Sequence, residues 1–197
     1  MYCLLFCTLF IKIPPPRREI KHAGMNVLEL FKNITTFVFD MDGVLTDGTL
    51  LLMPGGIMAR KMNIKDGYAL QLAIKKGYNV IVISGGALPE AEERLRKLGV
   101  RHVFMSCQDK KATLQDFLSA NSLRWEEVLF MGDDMPDYEA MKLTGLPCCP
   151  LDAVMEIRQV SQYISPLKGG EGCVRDVIEK LLKLRGDWAV DPLIKAQ

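Results

Sequence analysis

Three aspartates lie within eight residues of the sequence, directly after a short apolar run. In the stretch "FVFDMDGVLTDG" they are Asp40, Asp42 and Asp47. Carboxylates held this close repel one another, and each raises the pKa of its neighbours. A hard divalent cation removes that repulsion, and Mg²⁺ binds through one or two carboxylates together with a substrate phosphate. A carboxylate can also attack phosphorus and form an aspartyl-phosphate. The stretch therefore predicts a magnesium site that performs phosphoryl chemistry.

Polar groups also follow the next three apolar runs along the chain. They are Ser84-Gly85-Gly86, then Asp109-Lys110, then Gly132-Asp133-Asp134 with Asp137. Taken singly, an Asp after a strand is usually a cap or turn residue, and a lone Lys is usually solvated. Taken together, a hydroxyl, a glycine-rich turn, a lysine and a metal make an anion pocket for a phosphoryl group. A second carboxylate close to the nucleophile can protonate the leaving oxygen and then activate water.

Strand-like runs alternate with helical periods from Met25 onward. The predicted strands are Thr36–Phe39, Asn79–Ile83, His102–Met105 and Glu127–Met131. The predicted helices are Gly67–Lys76, Pro89–Leu98, Lys110–Leu118, Tyr138–Leu143 and Val174–Leu184. Short, almost wholly apolar strands between helices predict a doubly wound, Rossmann-like α/β sheet that is mostly parallel. Ligands bind such sheets beyond the carboxyl ends of the strands, where the polar groups lie. The segment Thr49–Asn63 breaks the alternation and predicts a small β-hairpin around Pro54-Gly55-Gly56.

Composition narrows the class of protein. The chain has 197 residues and a net charge of +1, and its basic residues are scattered. This favours one domain and gives no electrostatic footprint for nucleic acid or an anionic membrane. Six cysteines without a C-x-x-C pair, beside two histidines, argue against a zinc site. Free thiols in a reducing cytoplasm are the favoured interpretation.

The first residues differ in composition from the rest of the chain. The apolar stretch "MYCLLFCTLFIKI" is followed by "PPPRR", so the positive charge comes after the apolar run and not before it, as in a secretory signal. The run is also shorter than the roughly 20 residues of a membrane helix. We predict that residues 1–24 are an over-extended start or a disordered extension, that 25–188 form the domain, and that 189–197 are a tail. A cleaved signal or an anchor is the alternative for residues 1–24.

The polar groups together resemble the motifs of the haloacid dehalogenase (HAD) superfamily of phosphotransferases. "DMDGVLTDG" resembles the D-x-D-G-x-x-T motif, Ser84 and Lys110 fit the second and third motifs, and "GDDMPD" fits the fourth. The resemblance covers Asn33 to about Trp188, nearly the whole domain. It implies the HAD type of α/β fold for that domain.

The resemblance also implies a role for each motif residue. Asp40 would be the nucleophile and a Mg²⁺ ligand, and Asp42 the general acid/base and a ligand through its backbone carbonyl. Ser84 would bind the phosphoryl group, Lys110 would neutralise charge, and Asp133 would complete the metal site. The residues implied to lie nearby are Gly43 and Gly85 against the substrate, and Asp134 and Asp137 beside the metal site.

A narrower resemblance is to the 3-deoxy-D-manno-octulosonate 8-phosphate (KDO 8-P) phosphatase family. The segments that carry it are "DGVLTDG", "NIKDGYALQLA", "GDDMPDYEAM" and "ISPLKGGEGCVRDVIEKLL". It implies a capless phosphatase of lipopolysaccharide precursor synthesis. The spacing agrees, with 43 residues between Asp40 and Ser84 and 25 between Ser84 and Lys110. The family closes its open site by forming a homotetramer, in which the hairpin packs and the segment Lys168–Gly172 would reach a neighbour's active site.

The residues that would select the sugar acid are harder to identify from the sequence than the catalytic residues. The resemblance implies that Arg60 and Lys65, near the end of the hairpin, bind the sugar acid, and the alternative is two solvated surface cations. Many relatives have Arg where this chain has Ala87, which leaves the exact substrate open. A nine-carbon sugar acid 9-phosphate is the alternative substrate, although its phosphatases carry charged side chains where Ile57 and Met58 stand here. A non-catalytic oligomerising module is a further alternative, but every motif residue is present.

Overall fold

The computed structural model describes residues 26–194. The extension predicted over residues 1–24 lies outside the described residues. The tail predicted over 189–197 is described as far as Ile194, and it lies against a helix of the domain, where the hydroxyl of Tyr68 donates to the carbonyl of Ala189 at 3.3 Å. Between residues 26 and 194 no helix is both long and apolar enough to cross a membrane.

Within residues 26–194, eight strands form two sheets. In chain order they are β1 (Thr36–Phe39), β2 (Leu51–Leu52), β3 (Met58–Ala59), β4 (Asn79–Ile83), β5 (His102–Phe104), β6 (Val128–Met131), β7 (Leu146–Cys149) and β8 (Tyr163–Ile164). Six of them form one sheet in the order β5-β4-β1-β6-β7-β8, in which every neighbouring pair is parallel. The predicted α/β sheet is therefore confirmed. Strand β1 lies between β4 and β6, so the chain winds outward from it in both directions, and this switch point is where such sheets bind ligands.

In the described part of the chain, seven α-helices cover the two faces of the large sheet. They are α1 (Val27–Phe31), α2 (Ile64–Lys75), α3 (Pro89–Lys97), α4 (Lys110–Ala120), α5 (Tyr138–Met141), α6 (Met155–Val160) and α7 (Cys173–Arg185). Along β1, Phe37 and Phe39 join the core with α1, α2, α3 and α7, whereas Val38 joins the core with α4, α5 and α6. Alternate side chains of one strand thus enter opposite layers, and this is why the strand is apolar at every position.

Four of the elements were not predicted from the sequence: α1, α6, β7 and β8. Strand β7 contains Pro147, which lacks an N–H and argues against a central strand. The strand is nevertheless paired on both sides, and the carbonyl of Pro147 accepts a hydrogen bond from the N–H of Gln162 at 2.8 Å. Strand β8 and helices α1 and α6 are too short to carry a clear periodicity, so their existence depends on the neighbours they pack against.

The predicted hairpin is present and is the second sheet. Strands β2 and β3 pair antiparallel, with Leu51 opposite Ala59 and Leu52 opposite Met58. Its side chains face solvent, since Leu51 is 64% exposed and Leu52 is 73% exposed. Between β1 and β4 the described chain forms a short helical turn at Met41–Leu45, this hairpin and α2, so it carries no cap domain there, as predicted.

Candidate active site

The carboxyl ends of β1 and β6 bring two acidic residues to the same edge of the sheet. Asp40 follows β1 directly, and Asp133 follows β6 after one glycine. The N–H of Asp40 donates to the carbonyl of Met131 at 3.0 Å, which continues the pairing of the two strands to the point where the loops begin. The parallel sheet therefore fixes the spacing of these carboxylates more firmly than flexible loops could.

Lys110 lies between two of the acids. It is the first residue of α4, and its Nζ is 2.7 Å from Oδ1 of Asp40 and 2.7 Å from Oδ1 of Asp137. All three side chains are buried. Burial opposes the charge on Lys110, but Asp137 and Asp40 outweigh it and raise the pKa of the amine. The ammonium is therefore a fixed positive charge beside Asp40.

Asp133 completes a cluster of three carboxylates. One oxygen from each of Asp40, Asp133 and Asp137 lies within 4.8 Å of the others. Burial, with the negative charge of Asp137, raises the pKa of Asp40 to about 7 despite the attraction of Lys110. Burial, with the charges of Asp40 and Asp137, raises the pKa of Asp133 to about 8. We call these three residues, with Lys110, the acidic edge.

The acidic edge fits a magnesium ion. The buried oxygen Oδ1 of Asp133 has no hydrogen-bond partner in the described chain, and one lysine cannot neutralise three carboxylates. Hard oxygen ligands and excess negative charge are what Mg²⁺ requires. Gly43 leaves room for this carboxylate, because it has a φ of +85° and a methyl group there would lie 2.0 Å from Oδ2 of Asp133.

Asp42 turns away from the acidic edge toward the hairpin. Its Oδ1 accepts from Nε of Arg60 at 2.8 Å, and its Oδ2 lies 3.4 Å from Nη2 of the same guanidinium. The hydroxyl of Thr46 donates to Oδ1 at 3.3 Å. Arg60 thus holds the side chain of Asp42 in one orientation at the mouth of the site.

Ser84 and the following glycines form the opposite wall. Ser84 is buried after β4, and its Oγ accepts from the N–H of Gly86 at 3.2 Å. A cavity of about 710 Å³ opens between this turn and the acidic edge. The predicted site residues that line it are Asp40, Asp42, Ser84, Gly85, Lys110 and Asp133, with Asp134 beside them. The fold therefore brings the predicted catalytic residues to a single cavity.

Four predicted residues stand differently from these. Gly43 does not line this cavity, and Arg60, although it pairs with Asp42, lines a separate groove of about 650 Å³. Lys65 lies in the first turn of α2 and lines a separate cleft of about 800 Å³ with Glu171 and Arg175, so within this chain it is not brought to the cavity. Asp137 was predicted only to lie nearby, yet it is fully buried and contacts Lys110 directly. Its Oδ2 also accepts from the N–H of Asp133 at 3.1 Å. The four-residue spacing from Asp133, one helical turn, is the sequence signal that could have ranked it higher.

The segment Lys168–Gly172, which the resemblance implies would reach a neighbour's active site, has contacts within its own chain. It lies against the loop after β1 of its own chain, where the N–H of Gly170 donates to the carbonyl of Val44 at 3.0 Å. We call this segment the glycine strap. Only backbone can approach backbone this closely, and the glycines permit it.

The chain is similar to known proteins in both sequence and fold. The chain is 30% identical over 164 residues to the 3-deoxy-D-manno-octulosonate 8-phosphate phosphatase KdsC of Escherichia coli K12, covering 83% of this chain and 87% of the relative. The crystal structure of the corresponding phosphatase from Yersinia pestis has 28% identity and a TM-score of 0.79, over 82% of this chain and 87% of that one. No protein-family model matches the chain.

A third relative was solved with ligands. The 3-deoxy-D-manno-octulosonate 8-phosphate phosphatase of Moraxella catarrhalis, in complex with magnesium, phosphate and KDO, has 28% identity and a TM-score of 0.78, over 80% of this chain and 91% of that one. The resemblance predicted from the motifs is thereby confirmed. The chain belongs to the 3-deoxy-D-manno-octulosonate 8-phosphate phosphatase family.

Proposed function

We propose that this chain is a Mg²⁺-dependent phosphatase that hydrolyses KDO 8-P to KDO and phosphate through an aspartyl-phosphate intermediate. The observation that carries the proposal is the placement of Asp40. Its carboxylate ends a buried strand, has Lys110 at 2.7 Å, and shares one cavity with Asp42 and Ser84. The same family membership places the reaction in the supply of lipopolysaccharide precursors.

In the first half-reaction Asp40 is the nucleophile. Met41 N–H and Lys110 both contact its Oδ1, at 2.7 Å each, which leaves Oδ2 to attack the phosphorus of the substrate. The bond between phosphorus and the sugar oxygen breaks as the new bond to Asp40 forms. Asp42 donates its proton to the departing oxygen, so the sugar acid leaves as an alcohol.

In the second half-reaction Asp42 acts as the base. It takes a proton from a water molecule, whose oxygen attacks the phosphorus of the aspartyl-phosphate. The bond from phosphorus to Asp40 breaks, phosphate leaves, and both aspartates return to their starting state. Throughout, the charge of Lys110 and the hydroxyl of Ser84 stabilise the phosphoryl oxygens. The N–H of Gly86 fixes the Ser84 oxygen at 3.2 Å, so the hydroxyl proton is free to donate.

The residues present also supply the metal site. Asp40 and Asp133 would hold Mg²⁺ through their side chains and Asp42 through its backbone carbonyl, with Asp137 beside them. When bound, the ion neutralises the carboxylates and withdraws charge from the phosphoryl group. Asp137 contributes by fixing Lys110 and the backbone of Asp133.

We propose that Arg60 also selects the substrate. Its guanidinium lies at the cavity mouth beside Asp42, where an anionic sugar acid could bind to it. Gly43 and Gly85 would contact the substrate through their backbone. A role for Lys65 in the same site stays a prediction, because within this chain it lines another cleft.

We propose a homotetramer in the cytoplasm as the state of the protein. The exposed apolar side chains of the hairpin support assembly, because a patch of this kind on a soluble domain marks a contact surface. The described cysteines support a reducing compartment, since each is a free thiol: Cys107, Cys148, Cys149 and Cys173.

The proposed function is tested by phosphate release from a panel of sugar phosphates. The panel contains KDO 8-P, a nine-carbon sugar acid 9-phosphate and unrelated hexose phosphates, each with and without Mg²⁺. Wild type is compared with Asp40→Asn and with Asp116→Asn, a control on the exposed face of α4. We expect strong preference for KDO 8-P, loss of activity in Asp40→Asn, and unchanged activity in the control.

Other outcomes have definite meanings. Preference for the nine-carbon substrate would replace the substrate and keep the chemistry. Release from every phosphate at similar rates would remove the assignment of a sugar acid. Activity that survives in Asp40→Asn would overturn the nucleophile, and no release from any substrate would favour a non-catalytic module.

A further inference from the structure

The glycine strap touches the catalytic loop through backbone atoms alone at Gly169. A methyl group at Gly169 would lie 2.0 Å from the carbonyl oxygen of Gly43, far inside any permitted contact. The N–H of Gly169 donates to Oδ1 of Asp152 at 3.0 Å, which fixes the strap from the other side. The strap therefore has a defined position and cannot accept a side chain at this point.

Gly43 is confined on its other side by a carboxylate of the acidic edge. The space that a side chain of residue 43 would occupy is filled by Asp133, whose Oδ2 would lie 2.0 Å from such a methyl group. The backbone of Gly43 is thus held between Gly169 and the Asp133 carboxylate. A displacement of the strap toward Gly43 would therefore be passed to the Gly43 loop and, through it, to the Asp133 carboxylate.

The strap is anchored to the rest of the domain by α7. The thiol of Cys173, the first residue of α7, contacts the carbonyl of Val44 at 3.3 Å, and Gly170 N–H donates to that same carbonyl at 3.0 Å. The N–H of Arg175 donates to the buried Asp66 of α2 at 2.7 Å. The strap is thus tied to the Gly43 loop itself at Val44 and to α2 through α7, so an added methyl group at Gly169 strains the contact with Gly43 while the neighbouring contacts hold the two segments together.

We propose that Gly169 is a positioning residue for the magnesium site: the strap presses the Gly43 loop against Asp133 and so sets the separation of the metal-binding carboxylates. This inference rests on the proposed function. Gly169→Ala would move the Gly43 backbone away from the strap and toward Asp133, and this movement changes the metal site. Groups that orient metal ligands commonly change affinity by about 10- to 100-fold when altered.

The chain contains a matched control at the opposite end of the sheet. A methyl group at Gly145 would lie 2.1 Å from the carbonyl oxygen of Glu126, a clash of the same kind. Gly145 precedes β7 and Glu126 precedes β6, so both lie at the amino ends of the strands. Gly145→Ala therefore reproduces the packing damage without touching the acidic edge.

The test is a calorimetric titration of the metal-free full chain with MgCl₂ alone. Wild type, Gly169→Ala and Gly145→Ala are compared, with their thermal unfolding measured in parallel. We expect both variants to lose similar stability, and only Gly169→Ala to bind Mg²⁺ more weakly, by about tenfold or more. Equal Mg²⁺ affinities for the two variants would overturn the inference. A wild type that does not bind Mg²⁺ would instead overturn the proposed function on which it rests.

A second pair of variants covers the case in which Gly169→Ala does not fold. Asp152→Ala removes the acceptor for the Gly169 N–H and introduces no clash, whereas Asp152→Asn keeps an acceptor oxygen and removes only the charge. We expect a several-fold loss of Mg²⁺ affinity in Asp152→Ala and an affinity close to that of wild type in Asp152→Asn. A wild-type affinity in Asp152→Ala, or an equal loss in both, would count against the strap as a positioning element.

Discussion

The acidic edge and the hairpin depart from the ordinary arrangement of a globular domain in opposite ways. The acidic edge holds two buried carboxylates and one half-buried carboxylate beside a single lysine. The hairpin exposes a row of large apolar side chains, among them Leu51 and Leu52. Buried charge and exposed apolar surface are each unfavourable in an isolated chain.

The two regions differ in the kind of partner that would remove the unfavourable energy of each. A bound cation neutralises the acidic edge without changing the fold, so the cost of burying charge is offset when the site is in use. The exposed leucines of the hairpin can be buried only against a large apolar surface. A small ligand cannot provide such a surface, but a second copy of the chain can. The comparison teaches that an unfavourable feature can point to what relieves it: a cation at the acidic edge and, in the assembly proposed above, another copy of the chain at the hairpin.

The largest effect is expected from Asp133→Asn at the acidic edge. Because metal-ion stabilisation of a transition state is worth several kcal/mol, we expect phosphatase activity to fall by at least about a thousandfold. The metal-free variant should nevertheless melt at a higher temperature than metal-free wild type at pH 8, since burial and neighbouring charges make ionised Asp133 costly. Calorimetry in EDTA measures this, and a lower melting temperature would show that the acidic edge is not a source of instability.

The hairpin is tested by placing charge on its exposed strand. In the double variant Leu51→Lys/Leu52→Lys we expect self-association to weaken by at least about a hundredfold, because burying each leucine is worth about 1.5 to 3 kcal/mol. Sedimentation measures the assembly, and circular dichroism should show an intact fold. The control is Val190→Lys, which changes a side chain that is 92% exposed and lies outside the hairpin. Unchanged association in the double variant would remove the hairpin as a contact surface.

Asp66 separates the effect of burial from the effect of clustering, because it is a buried acid to which no other acid is hydrogen-bonded in the described chain. Burial raises its pKa to about 6, against the stabilising N–H of Arg175. A carboxyl with a raised pKa stabilises the fold fully below its unfolded value near 4 and loses that contribution as the pH rises through about 6.

We therefore expect Asp66→Asn, which cannot ionise, to gain stability relative to wild type as the pH rises. The gain between pH 4 and pH 7 should be about 2 to 3 kcal/mol, the value of a two-unit shift in pKa. Urea unfolding in EDTA at several pH values measures it. A pH-independent difference between the two proteins would mean that burial alone does not make this carboxylate costly, and would leave clustering as the cause at the acidic edge.

The smallest effect is expected at two serines with left-handed backbone. Ser106 has a φ of 54° at the end of β5, near the cavity, and Ser122 has a φ of 53° before β6, at the other end of the sheet. Replacing either with glycine should raise the free energy of unfolding by about 0.5 to 1 kcal/mol, since the strain of a side chain there exceeds the added entropy of the unfolded chain. Chemical denaturation measures both variants. A loss of activity in Ser106→Gly but not in Ser122→Gly would show that the strained backbone also shapes the cavity.

Periodicity and residue type predicted most of the fold that positions the site. The four predicted strands and the predicted helices were found with ends that agree or differ by at most three residues. Two strands match at both ends, because a buried parallel strand is apolar at every position and is easy to recognise. Strand β7 was missed, since its Pro147 is unfavourable by local rules and is tolerated only through pairing with both neighbours.

The site, like the fold, was predicted only in part. Asp40, Asp42, Ser84, Lys110 and Asp133 could be listed from their positions after strands, and they line one cavity. The direct contact of Asp137 with Lys110 could not be predicted, because it depends on how α4 packs against the turn before α5. The role of Lys65 stays a prediction, because within this chain it lines a separate cleft.

The sequence by itself determined the strand ends, the order of the polar groups and the class of chemistry, because these follow from local residue types read in order along the chain. Tertiary structure alone decided three things: the pairing of Arg60 with Asp42, the burial of Asp137, and the contact of Gly169 with Gly43. Each joins segments that are distant in sequence or lie on different elements. Such contacts are selected by the packing of the whole domain, which no local pattern encodes.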